Sequence, residues 1–237
     1  MYRAILSSIG LVAFCFGIAV GSGQPSIPTT SSNTIGGGNH WLVGQVQMGY
    51  YGGVGILASA TAQNFAENFP FAVRLGLGYS RVKSGDEWAA RRVFINNNTN
   101  GTARSNAHVW DARLDVLYPI KLLNLNRTML FVGPRHSDFN AYFEYIGGAE
   151  TFNVVSHQWG LGSGIESAYT VSPRVDLVFS VSADYYFRNT LSGHDTYYRP
   201  NGDDTHPIAN YAYKDADAAI NQPDVMTRIM VGWAYHF

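Results

Sequence analysis

The chain lacks most of what marks a soluble or a helical membrane protein. Among 237 residues there is a single cysteine, Cys15, and only three lysines, Lys83, Lys121 and Lys214. One cysteine cannot build a disulfide scaffold, so whatever stabilises the fold is not covalent. Charged residues make up 14%, where soluble chains carry about 25%. The sequence nonetheless holds 46% hydrophobic residues, which excludes the disordered class with its low hydrophobicity and high charge. Long apolar runs are missing after the first twenty residues, which argues against a bundle of membrane helices of about 20 residues each. A net charge of −1 gives no electrostatic reason to expect nucleic acid as a partner. What is abundant is glycine, with 25 copies, and tyrosine, with 15.

The one apolar run opens the chain. Arg3 precedes AILSSIGLVAFCFGIAV (residues 4–20), and Gly21, Ser22 and Gly23 follow. A basic start, an apolar segment and small residues are the layout of a cleaved secretory signal, assigned to residues 1–23. Cys15 lies inside it, after Phe14 rather than after the small residues of a lipoprotein site. The mature chain then has no cysteine, which favours a bacterial envelope protein. Residues 24–40, rich in Pro, Ser, Thr and Gly, read as a flexible leader.

Beyond that, period-two alternation dominates. From Arg174 to Phe187 one face carries Val175, Leu177, Phe179, Val181, Ala183, Tyr185 and Phe187, and the other Asp176, Ser180, Ser182 and Asp184. Similar alternation covers Phe71–Ser80, His108–Ile120, His157–Tyr169 and Val225–Phe237. Two segments are less regular. Residues 54–67 fit either a strand or, from Ala58, a short helix. Thr128–Gly147 shifts parity near Gly133-Pro134, where a β-bulge is expected. The count is eight strands, near 41–50, 54–63, 70–82, 107–120, 128–147, 155–170, 174–188 and 225–237. Short turns at 64–70, 121–127 and 172–173 alternate with long polar loops at 83–106 and 189–224. The fold class is all-β: an eight-stranded antiparallel transmembrane barrel over residues 41–237, closed so that no edge is left unpaired.

Alternation does not say which face points outward, and a soluble ligand-binding barrel would turn its apolar face in. The scarcity of lysine on the polar face, and aromatics such as Tyr79, Trp110, Tyr118, Trp159, Tyr169 and Trp233 near strand ends, favour apolar side out. The last residues carry a specific pattern: Gly232, Trp233, Ala234, Tyr235, His236 and Phe237, a glycine, alternating aromatics and a terminal Phe. This ending resembles the closing-strand signal of small Gram-negative outer-membrane barrels of the OmpA and OmpX type. The residue two before the glycine, usually polar in that signal, is Met230. The resemblance extends over residues 41–237 in pattern and over the last six in specific residues. It implies outer-membrane lipid and the barrel-assembly machinery as partners, the latter through Gly232, Tyr235 and Phe237.

Eight strands enclose an interior that side chains can fill. Arg74, Arg113 and Arg228 are expected to pair there with Asp111, Asp115, Glu166 and Asp184, because a buried charge is costly unless paired. A narrow ion or solute path lined by these residues is the rival reading. Catalysis is not expected: His136 and Ser137, and likewise His157 and Ser156, are strand neighbours and so project to opposite faces. No cofactor or metal is expected either. Asn201, Asp203, Asp204, Asp215, Asp217 and Asp224 form an oxygen-rich loop without EF-hand spacing, read as a solvated surface rather than a calcium site. The loops, with Tyr197, Tyr198, Tyr211 and Tyr213, are where an extracellular ligand of unspecified nature would bind. The protein is expected to be a monomer.

Overall fold

The structure, a computed structural model, describes residues 42–63, 70–96, 101–121, 127–148 and 150–237. The signal segment with Cys15, the leader, Trp41 and most of the turns at 64–70 and 121–127 lie outside the described residues.

Eight strands alternate in direction and pair with their neighbours: β1 (Leu42–Tyr51), β2 (Val54–Ala62), β3 (Ala72–Val82), β4 (Thr102–Ile120), β5 (Thr128–Ile146), β6 (Glu150–Ser172), β7 (Val175–Tyr186) and a last strand (Val225–His236). That last strand, β10, pairs with β7 on one side and β1 on the other, and β5 pairs with β6, so the sheet closes. Closure leaves no barrel strand with an unpaired edge. Between β7 and β10 the chain adds a small hairpin, β8 (Leu191–Gly193) and β9 (Thr196–Tyr198), which extends the sheet from β6.

The pleat sends apolar side chains outward. Val46, Met48, Ile56, Leu75, Leu77, Leu114, Val116, Leu161, Phe179, Val181, Ile229 and Val231 are all exposed. Aromatics bound this band at both ends. Tyr79 lies against Trp110 at 5.0 Å toward the loop end, and Tyr235 against Phe237 at 5.0 Å toward the other. The apolar-out assignment therefore stands, and the soluble-barrel alternative falls.

Residues 54–62 form the strand counted among the eight, so the alternative of a short helix from Ala58 is not taken up there; residues 64–67 of that alternative lie outside the described residues. Two expectations need correction. No bulge sits at Gly133-Pro134: the β5–β6 register runs unbroken from Thr128↔Ser167 to Tyr145↔Glu150. The apparent slip arises because Phe131, Phe139 and Phe143 point inward at positions that are polar elsewhere. The register shift falls instead between Thr170 and Ser172 of β6. The supposed loops are partly ordered. Strand β4 begins at Thr102, helix α1 (Glu87–Phe94) precedes it, and α2 (Tyr213–Ala219) follows the β8–β9 hairpin. Strands β4, β5 and β6, of 19, 19 and 23 residues, thus outreach the 9–12 residues of the other barrel strands.

Candidate functional site

Every second residue of each strand points into the lumen. From the terminal end upward, β4 contributes Leu117, Asp115, Arg113, Asp111 and Val109, all buried, and β10 contributes His236, Ala234, Gly232, Met230, Arg228 and Met226. These series stack into layers. Lowest is a polar rim in which Asp176 accepts from Arg127 at 2.6 Å and lies 2.7 Å from His236 Nε2. Above it Val43, Ala72, Leu117, Met129, Phe131, Ala168, Val178 and Ala234 form a continuous apolar plug.

The charged layer comes next. Arg74 grips Glu166 with two nitrogens at 2.6 and 2.8 Å, a bidentate pair, while its Nε donates to Thr61 at 3.0 Å. Gln45 donates to the same carboxylate at 2.9 Å. Arg135 lies 2.7 Å from Asp115 and 2.8 Å from Asp184. Arg228 contacts Asp111 at 3.0 Å and also pairs with Asp184, its guanidinium 3.7 Å from the centre of the Tyr51 ring. Arg113 sits 3.6–3.8 Å from Asp111, Asp115 and Asp184. Tyr186 donates to Asp111 at 2.6 Å. Four arginines thus face four carboxylates, each at most 5% exposed. Burial strengthens each attraction and makes an unpaired member costly, so equal numbers are what such a layer requires.

All seven lumen charges named from sequence face this layer. Reasoning from sequence missed Arg135, because the supposed parity slip placed it on no definite face. It also missed Tyr51 and Tyr186, the hydroxyl-bearing upper partners of the layer, and Met230 now has a place beside them with Leu57 and Met226. Met230 stands between Arg228 and Gly232 on the inward row and packs against that apolar group, which is why no polar residue is needed there.

The glycines make room for these side chains. A Cβ on Gly162 would lie 1.8 Å from Asp184 Oδ1 and 2.5 Å from Arg135 Nε. One on Gly76 would meet the Arg113 stem at 2.8 Å, and one on Gly78 the Tyr51 ring at 2.7 Å.

Over the charged layer the loop end is roofed. Helix α1 starts at Asp86, whose carboxylate accepts the Ala89 N–H at 2.8 Å. It buries Ala90, Val93 and Phe94 against inward residues of the long strands, including Phe139, Phe143, Phe152 and Val154. Leu191 and Tyr198 of the hairpin and Tyr213, Ala216 and Ala219 of α2 complete the same cluster. Tyr198 donates to the Val93 carbonyl at 2.7 Å and accepts the Ile208 N–H at 3.1 Å, tying hairpin, α1 and the following loop together. Burial raises the Tyr198 and Tyr213 hydroxyls above their ordinary range.

The remaining candidates are separated in space. His136 packs outward on Trp159, 4.9 Å between ring centres, while Ser137 is buried inside. His157 pairs outward with Asp138, and Ser156 is buried. His194 and His206 lie in the segment between β7 and β10. In the acidic loop Asp203 accepts from Asn201 at 2.6 Å and Asp204 from the Arg199 N–H at 2.7 Å. Asp215 caps α2 by accepting the Ala212 N–H at 2.9 Å. Asp217 accepts from Gln222 at 2.7 Å. These carboxylates are engaged with the protein, and among the described residues no group of three or more His, Cys, Asp and Glu could hold a metal.

No protein-family profile matches the chain, and no curated protein matches it in sequence. Solved structures do. A major outer membrane protein of Thermus thermophilus is 24% identical, with 83% of this chain and 98% of that one covered and a TM-score of 0.66. Ail, the attachment invasion locus protein of Yersinia pestis, is 12% identical over 83% and 95%, with a TM-score of 0.44. Neisserial surface protein A is 13% identical over 83% and 94%, with a TM-score of 0.36. The first of these shares the barrel fold with this chain.

Proposed function

We propose that this protein is an integral barrel of the bacterial outer membrane that conducts nothing and serves as a rigid mount for a surface-interaction module. The observation that carries this reading is the filled lumen: paired charges between an apolar plug below and an apolar roof above. Fully buried Arg74, Arg135, Arg228, Tyr51 and Tyr186 occupy the axis, where a pore would need water. The exposed apolar band with aromatics at both ends supports the membrane location, since such a surface in water would be a severe aggregation hazard. Residues 1–23 are then an export signal, removed before the barrel assembles. Lipid of the outer membrane and the assembly machinery, engaged through the final strand, are its partners, and the barrel works as a monomer. The long β4–β6 extension and its roof stand on the extracellular side, where the ligand is met. No catalytic role is assigned.

The test is electrical. Purified protein inserted in a planar bilayer should give no stable single-channel openings; sizeable openings would establish the rival reading, a narrow solute channel. Heat-modifiable migration on SDS gels and flotation with lipid vesicles check the barrel and its membrane location separately. Protein that remains in the soluble fraction overturns the location.

A further inference from the structure

Arginine is used in two ways in this protein. In the lumen every arginine faces a carboxylate. On the outer wall Arg81 faces none among the described residues. Its cross-strand neighbours are Val54 on β2 and His108 on β4, and the next strand presents Asn140 opposite His108. Of the carboxylates nearest in register, Asp138 pairs with His157, and Glu144 lies level with Arg104, further up β4 than His108.

The local fold makes a recess at this place. Strand β3 ends at Val82, opposite Ala107, while β4 continues to Thr102 without β3 beside it. The step leaves a hollow of about 460 Å³ lined by Tyr79, Arg81, Val82, Ser105, Asn106, Ala107 and His108. Ser105 is taken up with Ser84 and Glu87, at 2.6 and 2.7 Å. The Arg81 guanidinium, the His108 ring and the Asn106 amide keep their polar atoms free of protein partners among the described residues. The Tyr79 ring stacks on His108 with centres 5.9 Å apart, fixing the imidazole at the mouth.

Depth decides what such a recess meets. One outward step down from Arg81 and His108 are Tyr79 and Trp110, and two steps down are Leu77 and Ala112. Each step is about 6.5 Å along the strand. The cationic recess therefore stands at the upper edge of the aromatic border, the level at which headgroups meet acyl chains. A guanidinium with spare donors matches a phosphate in shape and charge.

We propose that this recess binds the phosphate of an outer-leaflet lipid headgroup, with the acyl chains running down β3 and β4 over Leu77, Ala112 and Leu75. The proposal rests on the membrane reading above. Its test is native mass spectrometry of the full chain in detergent micelles, titrated with phosphatidylglycerol or with monogalactosyldiacylglycerol of the same chains. The wild type should hold one phosphatidylglycerol in clear preference to the phosphate-free lipid. Arg81→Gln should weaken that binding about tenfold, the loss of one charge-assisted hydrogen bond. His108→Gln should weaken it less, Arg81→Lys should restore part of it, and Arg92→Gln, at an exposed position of α1, should leave it unchanged. Equal retention of the two lipids, or an unaltered Arg81→Gln, overturns the proposal. Displacement by millimolar inorganic phosphate would overturn the lipid assignment and make the ligand a soluble phosphate. Flotation of the same preparations reads the membrane location independently: variants that float yet keep the preference condemn the recess alone.

Discussion

At the scale of single residues, the lumen is an exchange of bulk between facing strands. Gly76, Gly78 and Gly162 sit where Arg113, Tyr51 and the Arg135–Asp184 pair need space. High glycine content is therefore not looseness but the counterpart of large polar side chains. Gly162→Ala pushes a methyl into two groups that are both fully buried, so neither can swing aside. Overpacking of this kind costs about 1–3 kcal/mol, to be read from denaturant unfolding of the refolded protein in micelles by tryptophan fluorescence. Pairing makes a second prediction. Arg74→Met strands Glu166 with only the Gln45 amide beside it, at a cost of about 3–5 kcal/mol. The double variant Arg74→Met, Glu166→Gln removes both charges and should unfold much nearer to the wild type. A double variant as weak as the single one would mean that the pair matters for something other than charge balance. Seven of the eight charges in the central layer were legible from alternation alone. Arg135 was not, because three inward phenylalanines on β5 imitate a change of face.

At the scale of elements, what was readable depended on whether one face met a uniform environment. The barrel strands lie between hydrocarbon-like exterior and polar interior along most of their length, so alternation marks them. The roof has no such contrast: its helices and hairpin bury apolar residues against strands that are themselves apolar there. Yet α1 carried a signal in Asp86 before Glu87, with Arg91 and Arg92 in the last turn, the charge order of a capped helix. Helix α2 and the hairpin, at 7 and 3 plus 3 residues, are too short for periodicity to declare. The roof should be separable from the barrel in stability. Tyr198→Phe leaves the Val93 carbonyl and the Ile208 N–H without their partner, worth about 1–3 kcal/mol. Hydrogen exchange should quicken across 187–224 while β7 and β10 stay protected. Alkali should act at the same place. The Tyr145 hydroxyl, above the apolar band and donating to the Glu87 carbonyl, is pushed up to about 12, first by burial and then by Glu87 and Glu150 against the pull of Arg91. An unfolded tyrosine titrates near about 10. Below that value both states hold the proton and the roof keeps its full stability. Between the two values only the open form releases it, so stability falls as pH rises and levels off above about 12. Near-ultraviolet circular dichroism should follow this loosening, and Tyr145→Phe should shift or remove it.

At the scale of the whole molecule, apolar and charged layers alternate along the barrel axis: rim, plug, charge layer, roof. The closure of the sheet rests on its last strand, which pairs with both β7 and β1 and ends with the Phe237 N–H donating to the Leu42 carbonyl at 3.2 Å. Removing Phe237 takes away that bond and the aromatic neighbour of Tyr235. Assembly into the membrane should drop, seen as a smaller heat-modifiable fraction, while detergent refolding changes little. The layered interior also predicts what loop surgery cannot do. Replacing residues 187–224 with a short turn removes the hairpin and α2, and with them Leu191, Tyr198, Tyr213, Ala216 and Ala219 from the roof. A barrel closed only by its loops would then conduct. Here the charge layer and the plug of Val43, Leu117, Met129 and Phe131 lie below the cut, on strands the change does not touch. The shortened protein should remain silent in a planar bilayer. Current should come only when the plug and the charge layer are opened together, as in Phe131→Gly with Arg74→Ser and Glu166→Ser. Conductance from the shortened loop alone would place the seal in the roof, and would reopen the channel reading for the intact protein.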